Sequence, residues 1–160
     1  MPTVISWRHL PLMRSDVRSS PAVHPPGRCW IADALSSVTA ALLPTGRNRP
    51  EPRELRAALY GWAFNSPRRV AGHAESDDLA HAARWAERKS PLLTVLNERA
   101  TARRVLDSLT LRMDGRPAAA NTVARRRAVL YNALEYAVEL DRLPANPLSR
   151  VKWKAPKSPK

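Results

Sequence analysis

The stretch from Ala120 to Leu140 constrains this chain more than any other. It is the longest uninterrupted helical pattern in the sequence, and Pro144 and Pro147 close it. At roughly 100° per residue, Val123, Leu130, Ala133, Leu134, Ala137, Val138 and Leu140 fall on one arc of a helix. Ala124, Ala128, Asn132, Glu135 and Glu139 fall opposite. An apolar arc that broad packs against several neighbours. Asn121 or Thr122 is the expected N-cap, and the free N–H groups of the first turn would favour an anion. Arg125, Arg126 and Arg127 follow at once, so the reading is a core helix with a basic start.

Other helical patterns surround it. Trp30 to Leu43 ends at Pro44, with Ile31, Leu35, Val38 and Leu42 as its stripe. Glu51 to Phe64 opens with Pro52, which suits a first turn, and buries Leu55, Leu59, Trp62 and Ala63. A basic loop around Arg68 and Arg69 follows. Ser76 is the expected cap of a third helix, with Asp77 and Asp78 at its positive end and Leu79, Ala82, Ala83, Trp85 and Ala86 facing inward. A fourth is expected over Glu98–Met113, with Ala102, Val105, Leu106, Leu109 and Met113 as its stripe and Asp114-Gly115 as its stop. No strand pattern stands out. The expected fold is therefore all-α, a compact multi-helix bundle with short loops.

Charge narrows the partner. The 160 residues carry 27 Lys and Arg against 14 Asp and Glu, a net charge of +13. Such an excess favours a polyanion, and nucleic acid is the commonest. Coding bias in a GC-rich genome accounts for Arg over Lys, but it does not account for the excess over acids. No run approaches the ~18 apolar residues of a membrane helix. The amino terminus, broken by Arg8, His9, Pro11, Arg14 and Asp16, has no secretory h-region. The single cysteine, Cys29, excludes an internal disulfide. Together these predict a cytoplasmic protein with neither a membrane nor a small-molecule substrate as partner.

No catalytic constellation emerges. Four histidines and one cysteine lack metal-ligand spacing, so no metal and no cofactor is expected. Thr45-Gly46-Arg47-Asn48-Arg49 lacks the second Gly and the Lys-Ser/Thr of a phosphate loop. His81-Ala-Ala-Arg84 matches a His-x-x-Arg pair but reads as a solvated helix face. Tyr60, Tyr131 and Tyr136 read as packing residues rather than nucleophiles. The nucleic-acid signal is more specific. Three consecutive helix residues fan over about 200°, so Arg125 and one neighbour can reach phosphate while the remaining arginine lays its stem along the bundle.

The residues from about Asp77 to Pro147 resemble the core-binding domain of tyrosine recombinases of the phage-integrase type. The resemblance rests on a Trp-bearing helix at Leu79–Arg88, a helix ending Leu109-Thr-Leu-Arg-Met-Asp-Gly115, the run Asn121-Thr-Val-Ala-Arg-Arg-Arg-Ala-Val-Leu-Tyr-Asn-Ala-Leu-Glu-Tyr-Ala137, and Leu143-Pro-Ala-Asn146-Pro147. The segment Asp33–Asn65 resembles the amino-terminal extension of integrase-like proteins. The resemblance implies a SAM-like helical domain that clamps one face of duplex DNA. A separate domain in that family supplies the catalytic Arg, Lys, His-x-x-Arg and Tyr, so it implies no catalytic residue and no enzyme activity for this chain.

These readings divide the chain into a disordered arm at 1–29, a two-helix extension at 30–74 packed on the core, a core-binding domain at 75–148 and a basic linker at 149–160. The expected partners are double-stranded DNA and further recombinase subunits. The DNA-contacting candidates are Arg103, Arg116, Asn121, Thr122, Arg125, Arg126, Arg127, Lys152 and Lys154. Replacing Arg125 and Arg126 together by alanine is expected to weaken DNA binding without unfolding the bundle. Two rivals stay open: a helical module that modulates a partner recombinase, and a truncated integrase remnant.

Overall fold

The computed structural model describes residues 30–64, 77–112 and 114–154. The amino-terminal arm, the Arg68–Arg69 loop, Ser76, Met113 and the tail beyond Lys154 lie outside them. The described residues are helical and contain no strand. In chain order they form α1 (Trp30–Leu42), α2 (Pro52–Ala58), a π-type turn (Leu59–Ala63), α3 (Asp77–Lys89), a 3-10 turn (Leu93–Asn97), α4 (Arg99–Ser108), α5 (Ala120–Glu139) and a second 3-10 turn (Pro147–Arg150).

The principal core joins α1, α4 and α5. Val38, Leu96, Ala102, Val105, Leu106, Leu109, Leu130, Leu134, Ala137, Leu143 and Leu148 pack together there. A second cluster holds Leu43, Leu55, Leu59, Ala63, Trp85 and Ala86, and it ties α2, the π-type turn and α3 to the end of α1. The segment expected as an extension packs on the rest of the bundle: Val38 of α1 belongs to the principal core, and Trp85 of α3 packs with Leu55 of α2. Both follow from the faces of α1. Ala32, Ala34, Ser36 and Val38 are all buried, so small side chains let α1 lie between the two clusters.

Loop chemistry fixes how the helices end. The Arg49 guanidinium donates to the carbonyls of Ala40, Leu43 and Pro44, satisfying the open end of α1. α5 ends in a Schellman motif. Asp141 N–H donates to the Val138 carbonyl and Arg142 N–H to the Ala137 carbonyl, with Asp141 left-handed at φ 56°. Asn146 is buried. Its Oδ1 accepts from Leu148 N–H, and its Nδ2 donates to the Tyr131 carbonyl and to Glu135 Oε1. The Asn-Pro pair thus stitches the chain back onto α5.

Two expectations about element ends and one about the buried face of α5 are corrected. α4 stops at Ser108, not Met113: Thr110 N–H and Leu111 N–H turn to the Asp107 and Ser108 carbonyls three residues back, while the Ser108 and Thr110 hydroxyls add bonds to the Val105 and Asp107 carbonyls. A short loop follows, in which Leu111 bridges Pro117 and Gly115 takes φ 76°. α5 begins at Ala120 with Ala119 as its cap residue and no side-chain cap bond, so neither Asn121 nor Thr122 caps it. On α5, Arg126 and Val129 are buried and Leu140 is exposed. The buried positions 123, 126, 130, 134 and 137 run at three- and four-residue spacing, and Arg126 stands in register with the leucines.

Candidate nucleic-acid interface

The triple arginine separates into three environments. Arg126 is only 7% exposed. Its Nε donates to Asp33 Oδ2 of α1 at 2.7 Å, and its Nη1 donates to the Leu109 and Leu111 carbonyls at 3.2 and 2.8 Å. Asp33 Oδ1 accepts from Arg56 Nη2 of α2 at 3.2 Å, and the Arg56 guanidinium lies 4.8 Å from the Tyr60 ring centroid. One carboxylate thus joins three helices. Its bonds consume the donors that would meet a phosphate, so Arg126, expected among the DNA contacts, is a structural residue. The expectation that Arg125 and Arg126 could both be removed without unfolding falls with it. The sequence did assign one arginine of the three to the bundle, and register identifies which.

Burial alone would raise the Asp33 pKa. The hydrogen bonds and charges of Arg126, then Arg56, outweigh it and hold the carboxyl below its ordinary value. A depressed carboxylate contributes stability that is complete above the unfolded-state pKa and is lost as pH falls through the lower folded-state value. Wild-type urea midpoints should therefore drop on acidification below about pH 4. Asp33→Asn should start lower at neutral pH and show a shallower acid drop. Parallel acid drops in the two proteins would exclude Asp33 as a source of it.

Arg125 and Arg127 leave α5 on either side of the buried Arg126, and both are exposed. The Arg127 guanidinium carbon lies 5.9 Å from the Trp153 ring centroid. That contact brings α5 to the carboxy-terminal segment, which is laid against α4. Arg103, Asp107, Lys152, Trp153 and Lys154 line one groove there, and Arg99, Arg103, Arg150, Val151 and Lys152 line an adjoining one. Arg103 Nη2 reaches the Lys152 carbonyl at 3.4 Å. Among the candidates, Arg103, Lys152 and Lys154 are thus brought together, and Arg127 joins them through Trp153. No protein-family model matches this chain, and no curated protein or solved structure matches it.

Arg116, Asn121, Thr122 and Arg125 do not line either groove. Arg116 is exposed in the loop before α5, where its backbone N–H donates to Asp114 Oδ1 at 3.1 Å. Asn121 is exposed and Thr122 half-buried at the start of α5. Sequence reasoning missed Arg99, Arg150 and Trp153. Arg99 and Arg103 are four residues apart, a spacing that places both on one helix face. Val151-Lys152-Trp153-Lys154 alternates apolar and basic, a two-residue period hidden by the reading of 149–160 as a linker. His81 and Arg84 are exposed on α3, as a solvated face requires. Tyr131 is 38% exposed, so it packs less than expected. No cluster of metal-ligating residues is present among the described residues, and none of their helices is long and apolar enough to cross a membrane.

Proposed function

We propose that this chain is the DNA-binding module of a tyrosine-recombinase-like protein, carrying no catalytic chemistry itself and gripping duplex DNA through phosphate contacts. One observation carries the reading: Arg99, Arg103, Arg127, Arg150, Lys152 and Lys154 gather around α4 and the carboxy-terminal segment. Cations spaced along a groove suit a phosphodiester backbone, which repeats its charge along its length. The charge excess of the whole chain and the recombinase-like order of its motifs support the same reading. The emphasis of the DNA-facing edge moves accordingly from the first turn of α5 to Arg103 of α4 and the lysines beyond Asn146, already among the candidates, with Arg127 at its margin.

If these six cations meet phosphates, affinity for a short duplex falls about a thousandfold between about 50 and 200 mM salt. Fluorescence anisotropy across that range reads it directly. A chain that leaves the duplex unbound, or binds it with no salt dependence, overturns the proposal.

The second reading, a module acting on a partner recombinase, draws on a different feature. Leu35, Val38, Leu42, Phe64, Leu93 and Leu130 line an apolar cavity of about 80 Å³ between α1 and α5. Co-purification with a full-length recombinase, with no shift of duplex DNA at about 0.15 M salt, would favour that reading.

A further inference from the structure

We infer that Trp153 is a positioning residue for the nucleic-acid face: it clasps the segment Val151–Lys154 onto the bundle so that Lys152 and Lys154 present their charges together. The inference rests on the DNA-binding proposal above and adds what assembles the site.

A stretch with no regular secondary structure and several cations would ordinarily trail in solvent, and ordering it has an entropic cost. Here the segment is fixed at several points. The Trp153 indole Nε1 donates to Asp107 Oδ1 of α4 at 3.0 Å. Arg127 of α5 lies over the same ring at 5.9 Å. The Lys152 carbonyl accepts from Arg103 Nη2 at 3.4 Å. Val151 and Trp153 pack against the principal core. Exposure follows the alternation of the sequence, with Val151 and Trp153 half-buried and Lys152 and Lys154 exposed. In an extended segment, alternate side chains project to opposite sides. Seating the two apolar residues therefore sets both lysines outward on one side, beside Arg103.

The groove also holds one acid, Asp107. The indole N–H donates to one of its oxygens and so fixes where that carboxylate sits, with Arg103 one helical turn away on the same face.

The test uses the full chain and a short duplex, with the salt dependence of affinity as the readout. Each phosphate contact contributes about 0.9 to the slope of log affinity against log salt. Lys152→Ala with Lys154→Ala should lower that slope by about 1.8. Trp153→Ala alone should lower it by a similar amount, although it removes no charge. Adding Trp153→Ala to the lysine pair should lower it no further. Trp153→Phe keeps a ring against the core but loses the bond to Asp107, and should restore part of the slope. Thermal melts of each variant by circular dichroism separate these effects from loss of the fold. A wild-type slope in Trp153→Ala, additive losses in the triple variant, or a Phe variant that restores nothing each overturns the inference while leaving the DNA-binding proposal standing. A wild-type chain that does not bind the duplex overturns both.

Discussion

Arg126→Ala is expected to cost on the order of 3 kcal/mol of folding stability, the scale of breaking a buried ion pair by removing one partner. The charge left behind is the Asp33 carboxylate, which among the described residues keeps Arg56. The Leu109 and Leu111 carbonyls lose their Arg126 donor as well, and leaving the buried Leu109 acceptor unpaired is costly. Urea or thermal unfolding measures the loss. Arg125→Ala, at an exposed position one residue earlier, should stay within about 0.5 kcal/mol of wild type. Arg126→Lys should not recover full stability, because an ammonium cannot reproduce the planar fork that reaches a carboxylate and two carbonyls at once. At a temperature where Arg126→Ala is still folded, its DNA salt slope should equal that of wild type. A stability loss below about 0.5 kcal/mol would remove Arg126 from the structural frame.

The second large effect belongs to the proposed interface. Arg103→Ala, Lys152→Ala and Lys154→Ala together remove three cations from one groove. Three lost phosphate contacts lower the salt slope by about 2.7, which at about 0.15 M salt is about a hundredfold in affinity. Stability should change little, since all three residues are exposed, although Arg103 gives up its bond to the Lys152 carbonyl. The control is Arg116→Ala with Arg125→Ala, which removes two cations that line neither groove. A control loss of about 1.8 in the slope, in proportion to the two charges it removes, would mean that binding follows net charge and that the groove has no special role.

Much of the architecture was legible because helix patterns repeat locally. α1 carries Val38 and Leu42 in its stripe, α2 opens with Pro52, and α3 carries Asp77 and Asp78 in its first turn. What failed was anything decided by a partner distant in the chain. The wheel of α5 places Arg126 in register with Val123 and Leu130, yet an arginine there reads as a solvated cation until Asp33, 93 residues away, supplies a counter-charge. The Glu98–Met113 pattern continues past Ser108 in hydrophobicity. It ends there in space, where the backbone bonds turn to residues three back and the Leu109 and Leu111 carbonyls accept from Arg126 on another helix. Sequence order likewise does not state that α1 lies between two clusters.

The candidate site divides along the same line. Arg103, Arg127, Lys152 and Lys154 are legible one by one as exposed cations. That they meet is not, because their meeting depends on Trp153 reaching Asp107, 46 residues earlier, and Arg127 on another helix. The sequence by itself determined the helical class, the boundaries set by proline, the basic excess and the alternation of Val151–Lys154. All of these are local or compositional properties. Tertiary structure alone decided which arginine of the triplet is buried and which cations share a face. A guanidinium is a core residue or a phosphate ligand according to whether the fold brings it a carboxylate, and only packing specifies that.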